Sequence, residues 1–165
     1  MTIAFRDASL ADAPLLRRWD KQPHVVAASG DDGGFDWEYE LPRKFDWREL
    51  LIAEMAGRPI GFVQIIDPKL EETHYWGEVV GNLRAIDIWI GEAADLGKGY
   101  GTRMMRLAIE RCFADQAVTA ILIDPLANNT RAHRFYRRLG FRPVGRRTFG
   151  RDDCLVHRLE RRDWR

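Results

Sequence analysis

The order of apolar and polar positions predicts strands in the first half of the chain. Alternation over residues 2–6 predicts a strand, and Ser9 to Asp12 then form a capping-box-like start for a helix that runs through Trp19. Apolar runs at 49–55 and 60–66 predict an antiparallel hairpin with a loop of three to five residues. Residues 29–47 have no clear period and predict a loop with at most one short helix.

The second half of the chain alternates strands with helices. Residues 83–90 predict a fourth strand, with Ile86, Ile88 and Ile90 on one face and Ala85, Asp87 and Trp89 on the other. Apolar residues recur at intervals of three and four over 99–114, which is typical of a helix packed by one face. A strand at 120–123, a helix at 129–139 ended by Gly140, and a hairpin of 141–147 with 153–159 complete the pattern. These elements predict an α/β fold.

Length and composition fit a single domain. A chain of 165 residues can bury one sizeable core, so we expect residues 1–165 to form one domain. No window approaches the roughly 18 apolar residues of a membrane span, and residues 1–18 lack a signal-peptide core, so we expect a cytoplasmic protein without membrane contact. The two cysteines and four histidines lack metal-ligand spacing, so we expect no metal.

Charge is distributed unevenly along the chain. Residues 131–165 contain twelve arginines against four acids, a balance of +8; because the whole chain carries +1, residues 1–130 carry −7. An acidic cleft would attract a cationic acceptor and a basic patch a phosphorylated cofactor. The alternative, that these charges lie on solvated faces, stays open at this point.

The glycine-rich segment from Leu96 to Thr102 stands between a predicted strand and an amphipathic helix. Its glycines let the backbone approach a ligand closely, and the N–H groups of the helix start point to the same place. Together they favour a site for an anion such as a pyrophosphate. The segment lacks the spacing of a dinucleotide-binding fingerprint, and no Gly-Lys-Ser/Thr ends it as in a phosphate-binding P-loop.

A second motif follows this segment by about thirty residues and carries a family resemblance. The pattern of a Gly-x-Gly turn opening a helix, then Asn-x-x-Ala-x-x-x-Tyr and Gly-Phe, resembles that of the GNAT acetyltransferases. It is matched at Gly99, Gly101, Asn129, Ala132, Tyr136, Gly140 and Phe141. Leu96 departs from the family, which often has Gln or Arg there. The resemblance implies the acyl-CoA N-acyltransferase fold: a mixed, mostly antiparallel sheet, split between strands four and five, with helices on both faces.

The resemblance also implies how acetyl-CoA is held. The backbone of Ile88, Trp89 and Ile90 should pair with the pantetheine arm as an extra strand would. Asn129 should bind the pantetheine or hold the last helix, and Ala132 is small where the cofactor passes. The hydroxyl of Tyr136 should lie near the sulfur, to protonate the departing thiolate or fix the thioester; a buried tyrosine with a purely structural role is the alternative. The pyrophosphate should contact the segment Leu96, Gly97, Lys98, Gly99, Tyr100, Gly101 and Thr102.

Asp87 is the candidate general base. Aliphatic amines are mostly protonated near pH 7, so a group must take a proton before the amine attacks. A lone carboxylate in an apolar central strand is costly unless it is paired or faces a solvated cleft. A structural ion pair with an arginine such as Arg84 is the alternative.

The resemblance is closest to the aminoglycoside N-acetyltransferases that modify the 6′ amine. It rests on the order of Arg84–Asp87, Leu96–Thr102 and the dipeptide Asp124-Pro125. In that branch an aspartate matching Asp87 helps to bind and deprotonate the acceptor amine, and one matching Asp124 lies at the acceptor pocket. Acids including Asp31 and Asp32, interleaved with aromatic residues, would suit a cationic amino sugar, although solvated loop charges would look the same. The candidate acceptor residues are Trp19, His24, Asp36, Trp37, Glu72, Trp76, Asp87 and Asp124.

Several alternatives remain at this stage. Related GNAT branches acylate siderophore precursors, polyamines or proteins. A module that binds CoA without turnover, or a nucleic-acid binder that uses the arginines from Arg131 onward, is the non-enzymatic alternative. The preferred prediction is an acetyl-CoA-dependent N-acetyltransferase acting on a cationic small-molecule amine without nucleic acid, as a monomer or homodimer.

Overall fold

The computed structural model describes residues 1–30 and 34–165. Within these two ranges, seven strands and five α-helices follow one another. In chain order they are β1 (Ile3–Asp7), α1 (Ala13–Asp20), α2 (Pro23–Ser29), α3 (Trp37–Glu40), β2 (Arg48–Met55), β3 (Arg58–Ile66), β4 (Leu83–Ile90), α4 (Tyr100–Phe113), β5 (Ala120–Ile123), α5 (Thr130–Arg138), β6 (Arg142–Phe149) and β7 (Asp152–Glu160). Short 3₁₀ turns lie at Leu10–Asp12, Ala93–Asp95 and Arg161–Asp163.

The strands form one mixed sheet in the order β1-β2-β3-β4-β5-β7-β6. Every pairing is antiparallel except that of β4 with β5, which is parallel. That parallel pairing covers only Leu83 to Ala85 of β4, against Ala120 to Leu122 of β5. Because β4 continues to Ile90 while β5 ends at Ile123, the sheet opens between these two strands. The predicted split is confirmed.

Helices cover both faces of the sheet. On one face α4 buries Met104, Met105 and Ile109 against Ile86 of β4, with Ile88 and Ile90 packed beside them. On the other face, residues of α1 and α3 pack against β2, β3 and Trp89. The alternation predicted for β4 is therefore confirmed. A third apolar cluster surrounds Trp76 and Phe149 and covers the half of the sheet beyond the split.

Two connections differ from the sequence prediction. The β2–β3 loop has two residues rather than three to five, since Ala56 and Gly57 both adopt positive φ angles, 50° and 77°. Positive φ at both central positions is the geometry of a tight type I′ hairpin turn. The helix α2 was not predicted; it begins at Pro23, whose fixed φ suits a first helical position, and ends at Gly30.

Candidate active site

The free edge of β4 begins where its pairing with β5 stops. In an antiparallel ladder, alternate residues direct both main-chain groups to the same neighbour. The N–H of Gly91 donates to the Ile60 carbonyl at 3.0 Å, and that of Thr119 donates to the Asn82 carbonyl at 2.9 Å. Odd-numbered residues of β4 therefore bond to β3, and even-numbered ones face β5 or the open edge. Ile88 and Ile90 thus present main-chain groups to the split.

Trp89 does not share this orientation. It lies opposite Phe62 of β3 in the register, at a position whose N–H and C=O belong to the β3–β4 ladder. The prediction that its backbone pairs with the pantetheine is therefore wrong. Its indole packs over Phe62, with ring centroids 4.6 Å apart, on the face opposite Ile88.

The Leu96–Thr102 segment forms an open turn before α4. Gly97 and Gly99 have φ angles of 75° and 79°, and no atom lies within 4 Å of a Cβ built on either residue. Positive φ explains the glycines, and the open space leaves room for a ligand beside the backbone of the turn. Helix α4 begins at Tyr100, so its first N–H groups face the same turn.

A buried carboxylate supports this turn. Asp95 is 3% exposed and accepts two hydrogen bonds from the Arg58 guanidinium, at 2.9 and 3.1 Å. These hydrogen bonds hold the pKa of Asp95 below its usual value. Lys98 lies 3.8 Å from the same carboxylate. The sequence analysis missed this support because Arg58 lies in the hairpin, 37 residues from Asp95.

Helix α5 lies beside the start of α4. The Phe135 ring comes within 3.8 Å of a Cβ built on Gly101. Asn129 is the N-cap of α5, because its side-chain oxygen accepts a hydrogen bond from the Ala132 N–H at 3.1 Å. The resemblance implied that Asn129 either binds the pantetheine or holds the last helix, and the geometry shows the second of these roles. Ala132 and Tyr136 follow on α5, both half-buried.

Asp87 and Tyr136 lie close enough for the charge of Asp87 to act on the Tyr136 hydroxyl. Asp87 is solvent-exposed and accepts a hydrogen bond from Gln64 Nε2 at 2.7 Å. Burial raises the pKa of the Tyr136 hydroxyl, and the charges of Asp87 and Asp124 raise it further, so this phenol stays protonated at neutral pH. The alternative partner of Asp87, Arg84, lies on the opposite face of β4 and pairs with Asp67 and Asp115.

Tyr75 brings a further hydroxyl to Asp124, the residue that follows β5. Its O–H donates to Asp124 Oδ2, and its ring stacks on Phe149 with centroids 4.4 Å apart and planes 6° from parallel. Burial of the hydroxyl end and the Asp124 charge both raise the pKa of Tyr75. Sequence reasoning missed Gln64 as a site residue, although it is the one polar side chain in the apolar run 60–66.

A family model described as an acetyltransferase (GNAT) domain matches residues 8–149. The chain belongs to the GNAT acetyltransferase family. The match includes strands β2 to β6, with the split between β4 and β5, the glycine turn and the α5 motif described above.

Named relatives of this GNAT chain include acetyltransferases and an acyltransferase. Aminoglycoside N(6′)-acetyltransferase type 1 of Klebsiella pneumoniae is 38% identical over 142 residues, which cover 81% of this chain and 71% of that protein. The lysine N-acyltransferase MbtK of Mycolicibacterium paratuberculosis is 28% identical over 159 residues, covering 86% and 66%. The structure of AAC(6′)-Ib in complex with paromomycin and acetyl-CoA superposes with a TM-score of 0.80 at 26% identity, over 99% of this chain and 96% of that one.

Three tryptophans expected at the acceptor site of this GNAT domain belong to the core instead. Trp19, Trp37 and Trp76 are only 0%, 1% and 5% exposed. The Trp19 ring lies 2.0 Å from a Cβ built on Gly91, so glycine is required there. The indole N–H of Trp37 donates to Asp20 at 2.6 Å. In this arrangement their rings pack inside the core, and their contact with an acceptor stays a prediction.

The remaining acceptor candidates outside the Asp87–Asp124 opening have structural partners. Asp36 caps α3 by accepting from the Tyr39 N–H at 3.3 Å, and Glu72 pairs with Arg43 through two contacts of 2.7 and 2.9 Å. Asp31 and Asp32 lie outside the described residues. Among the described acids of these loops, Glu38, Glu40 and Glu72 pair with arginines.

His24 connects α2 to the free edge of β4. Its Nε2 lies 2.8 Å from the Ile90 carbonyl oxygen, which faces that edge. This contact places His24 at the end of the free edge of β4, beside Ile90. It also connects helix α2 to the split.

Among the residues that the structure describes, no cluster of three or more His, Cys, Asp or Glu side chains could hold a metal ion. Within the same ranges, 1–30 and 34–165, none of the helices has the length and apolar character that crossing a membrane requires.

Proposed function

We propose that this protein is an acetyl-CoA-dependent N-acetyltransferase that acetylates the 6′ amine of aminoglycosides. The observation that carries the proposal is the pair of carboxylates, Asp87 and Asp124, whose charges both act on the buried, protonated Tyr136 hydroxyl. This arrangement suits a cationic amine next to a thioester. The aminoglycoside N(6′)-acetyltransferase of K. pneumoniae, 38% identical, supports the choice of acceptor.

The residues of the split fit acetyl-CoA as donor. The turn at Gly97 and Gly99 offers accessible N–H groups for a pyrophosphate. The free edge of β4 at Ile88 and Ile90 offers main-chain groups for the two amides of a pantetheine arm. When bound, acetyl-CoA supplies the activated acetyl group as a thioester.

Four groups of this chain then serve direct transfer in a ternary complex. Asp87 takes a proton from the acceptor ammonium, directly or through water, because its carboxylate is exposed and oriented by Gln64. The Ile88 N–H faces the split and stabilises the negative charge that develops on the carbonyl oxygen. Tyr136 donates its proton to the departing thiolate. Asp124 binds the ammonium groups of the acceptor.

The similarity to a lysine N-acyltransferase supports a second class of acceptor. The lysine N-acyltransferase MbtK aligns with 86% of this chain at 28% identity, so a lysine-derived amine is the competing acceptor. We place the protein in the cytoplasm as a single-domain monomer or homodimer in either case.

The test is release of free CoA thiol from acetyl-CoA with a panel of amines. The panel contains kanamycin, tobramycin, spermidine, hydroxylysine and a basic peptide. An aminoglycoside with a hydroxyl in place of the 6′ amine serves as matched control. We expect saturable turnover with the 6′-amino compounds, none with the hydroxyl compound, and a product whose acetyl group mass spectrometry assigns to the 6′ nitrogen. Turnover with hydroxylysine and silence with every aminoglycoside would overturn the proposal in favour of the second acceptor class.

A further inference from the structure

The loop between β3 and β4 presents a tyrosine whose hydroxyl is already committed to Asp124. Tyr75 is 43% exposed, yet its hydroxyl end lies in the opening and donates to Asp124 Oδ2. The ring is parallel to that of Phe149 of β6, so the hydrogen bond comes from a side chain whose plane is fixed. Tyr75 therefore connects three segments of the chain: its own loop, the residue after β5 through the hydrogen bond, and the β6–β7 hairpin through the stacked ring.

The loop backbone is held on both sides of Tyr75. Glu71 is 7% exposed, and its carboxylate accepts from the Tyr75 N–H at 3.0 Å and from the Thr73 hydroxyl at 2.5 Å. On the other side, Arg147 donates to the Trp76 carbonyl at 2.9 Å while its guanidinium lies 4.7 Å over the Phe149 ring. The backbone is thus fixed before any acceptor arrives. A side chain held by its supporting contacts keeps its geometry better than one on an unsupported loop.

We propose that Tyr75 is a positioning residue for the acceptor: it fixes the rotamer of Asp124 so that this carboxylate binds an ammonium group of the amino sugar. The inference rests on the proposed function and deepens it. An aspartate side chain on a connection after a strand has several rotamers, and a hydrogen bond from a fixed phenol selects one of them. A neutral donor serves this purpose without cancelling the negative charge that attracts the cation. The raised pKa of Tyr75 agrees with a phenol that stays protonated over the working pH range.

The hydroxyl does not act on the thioester in this assignment. Asp87 and Tyr136 carry the proton transfers, whereas Tyr75 acts through Asp124 on acceptor binding. Removing the Tyr75 hydroxyl must therefore raise the KM for the acceptor and leave kcat and the KM for acetyl-CoA unchanged. This rise in KM must also disappear in a variant whose residue 124 has no carboxylate.

The test is a double-mutant cycle of Tyr75→Phe and Asp124→Asn on the full chain, with steady-state acetylation of kanamycin as readout. Tyr75→Phe keeps the ring and its stacking and removes one hydrogen bond to a charged group, so we expect the kanamycin KM to rise about tenfold. We expect both kcat and the KM for acetyl-CoA to stay within about twofold of the wild-type values. Asp124→Asn should raise the kanamycin KM further, and the double variant should match Asp124→Asn alone.

Tyr39→Phe is the matched control. Tyr39 is also exposed, and its ring lies under the Arg43 guanidinium at 4.6 Å. It should leave all kinetic constants unchanged. A kanamycin KM within twofold of wild type for Tyr75→Phe would overturn the inference. So would an undiminished tenfold loss in the Asp124→Asn background, since the hydroxyl would then contact the acceptor itself. Absence of wild-type turnover on aminoglycosides would instead refute the proposed function, and the role of Tyr75 with it.

Discussion

The glycine turn before α4 allows a matched test of the cofactor site at two neighbouring glycines. Gly99 has φ 79° and ψ 5°, the left-handed region, as N-cap of α4. A residue with a side chain costs roughly 1–2 kcal/mol in that conformation. No atom lies within 4 Å of the new Cβ, so Gly99→Ala adds this backbone cost without a steric clash. For a chain of this size the melting temperature should fall by about 2–8 °C.

Gly101 is the control for that substitution. It lies inside α4, and the nearest atom to a new Cβ is in the Phe135 ring at 3.8 Å, an ordinary contact. Alanine is favoured over glycine in a helix interior by up to about 1 kcal/mol. Gly101→Ala should therefore keep or raise the melting temperature of the ligand-free protein, measured by scanning calorimetry alongside Gly99→Ala.

The same pair of variants tests the ligand site. If Gly99→Ala shifts the turn out of the left-handed region, its N–H groups no longer converge, and losing one hydrogen bond to a phosphate should weaken acetyl-CoA binding roughly tenfold or more. Isothermal titration calorimetry measures that affinity directly. The reasoning is refuted if Gly99→Ala is as stable and binds acetyl-CoA as tightly as wild type, or if Gly101→Ala loses as much stability.

Three further predictions follow from the site and the core. Asp87→Asn should lower kcat about a hundredfold or more with an unchanged dissociation constant for acetyl-CoA, measured by calorimetry; equal turnover would show that Asp87 is not the base. Tyr136→Phe should lower kcat about tenfold or more while the acceptor KM stays near wild type, and an unaffected kcat would assign the acid to another group. His157 is fully buried and burial lowers its pKa, so the unfolded chain takes up its proton first and the free energy of unfolding should decrease as pH falls below about 6.5. Urea titrations at pH 7.5 and 5.5 should show a smaller difference for His157→Gln than for wild type, and an identical pH dependence would contradict this.

The sequence by itself determined the local elements and the family. The alternation of β4 follows from a period of two, because successive side chains of a strand point to opposite faces. The glycine turn was identified because positions with positive φ favour glycine, as at Gly97 and Gly99. Together with the motif from Asn129 to Phe141, these local signals identified a GNAT domain whose sheet splits after the fourth strand.

Only the tertiary structure decided which side chains meet. The acids between Asp36 and Glu72 looked available for a cationic acceptor, yet Glu72 pairs with Arg43, 29 residues away. Trp37 lies in a segment without a clear apolar period, so its burial could not be inferred before α1 and α3 packed on β3. Asp124 meets Tyr75 across 49 residues. Local periodicity determines the face of its own helix or strand on which a side chain lies. The residue that this side chain contacts depends on how elements distant in sequence pack, and the core of the folded chain decides that packing.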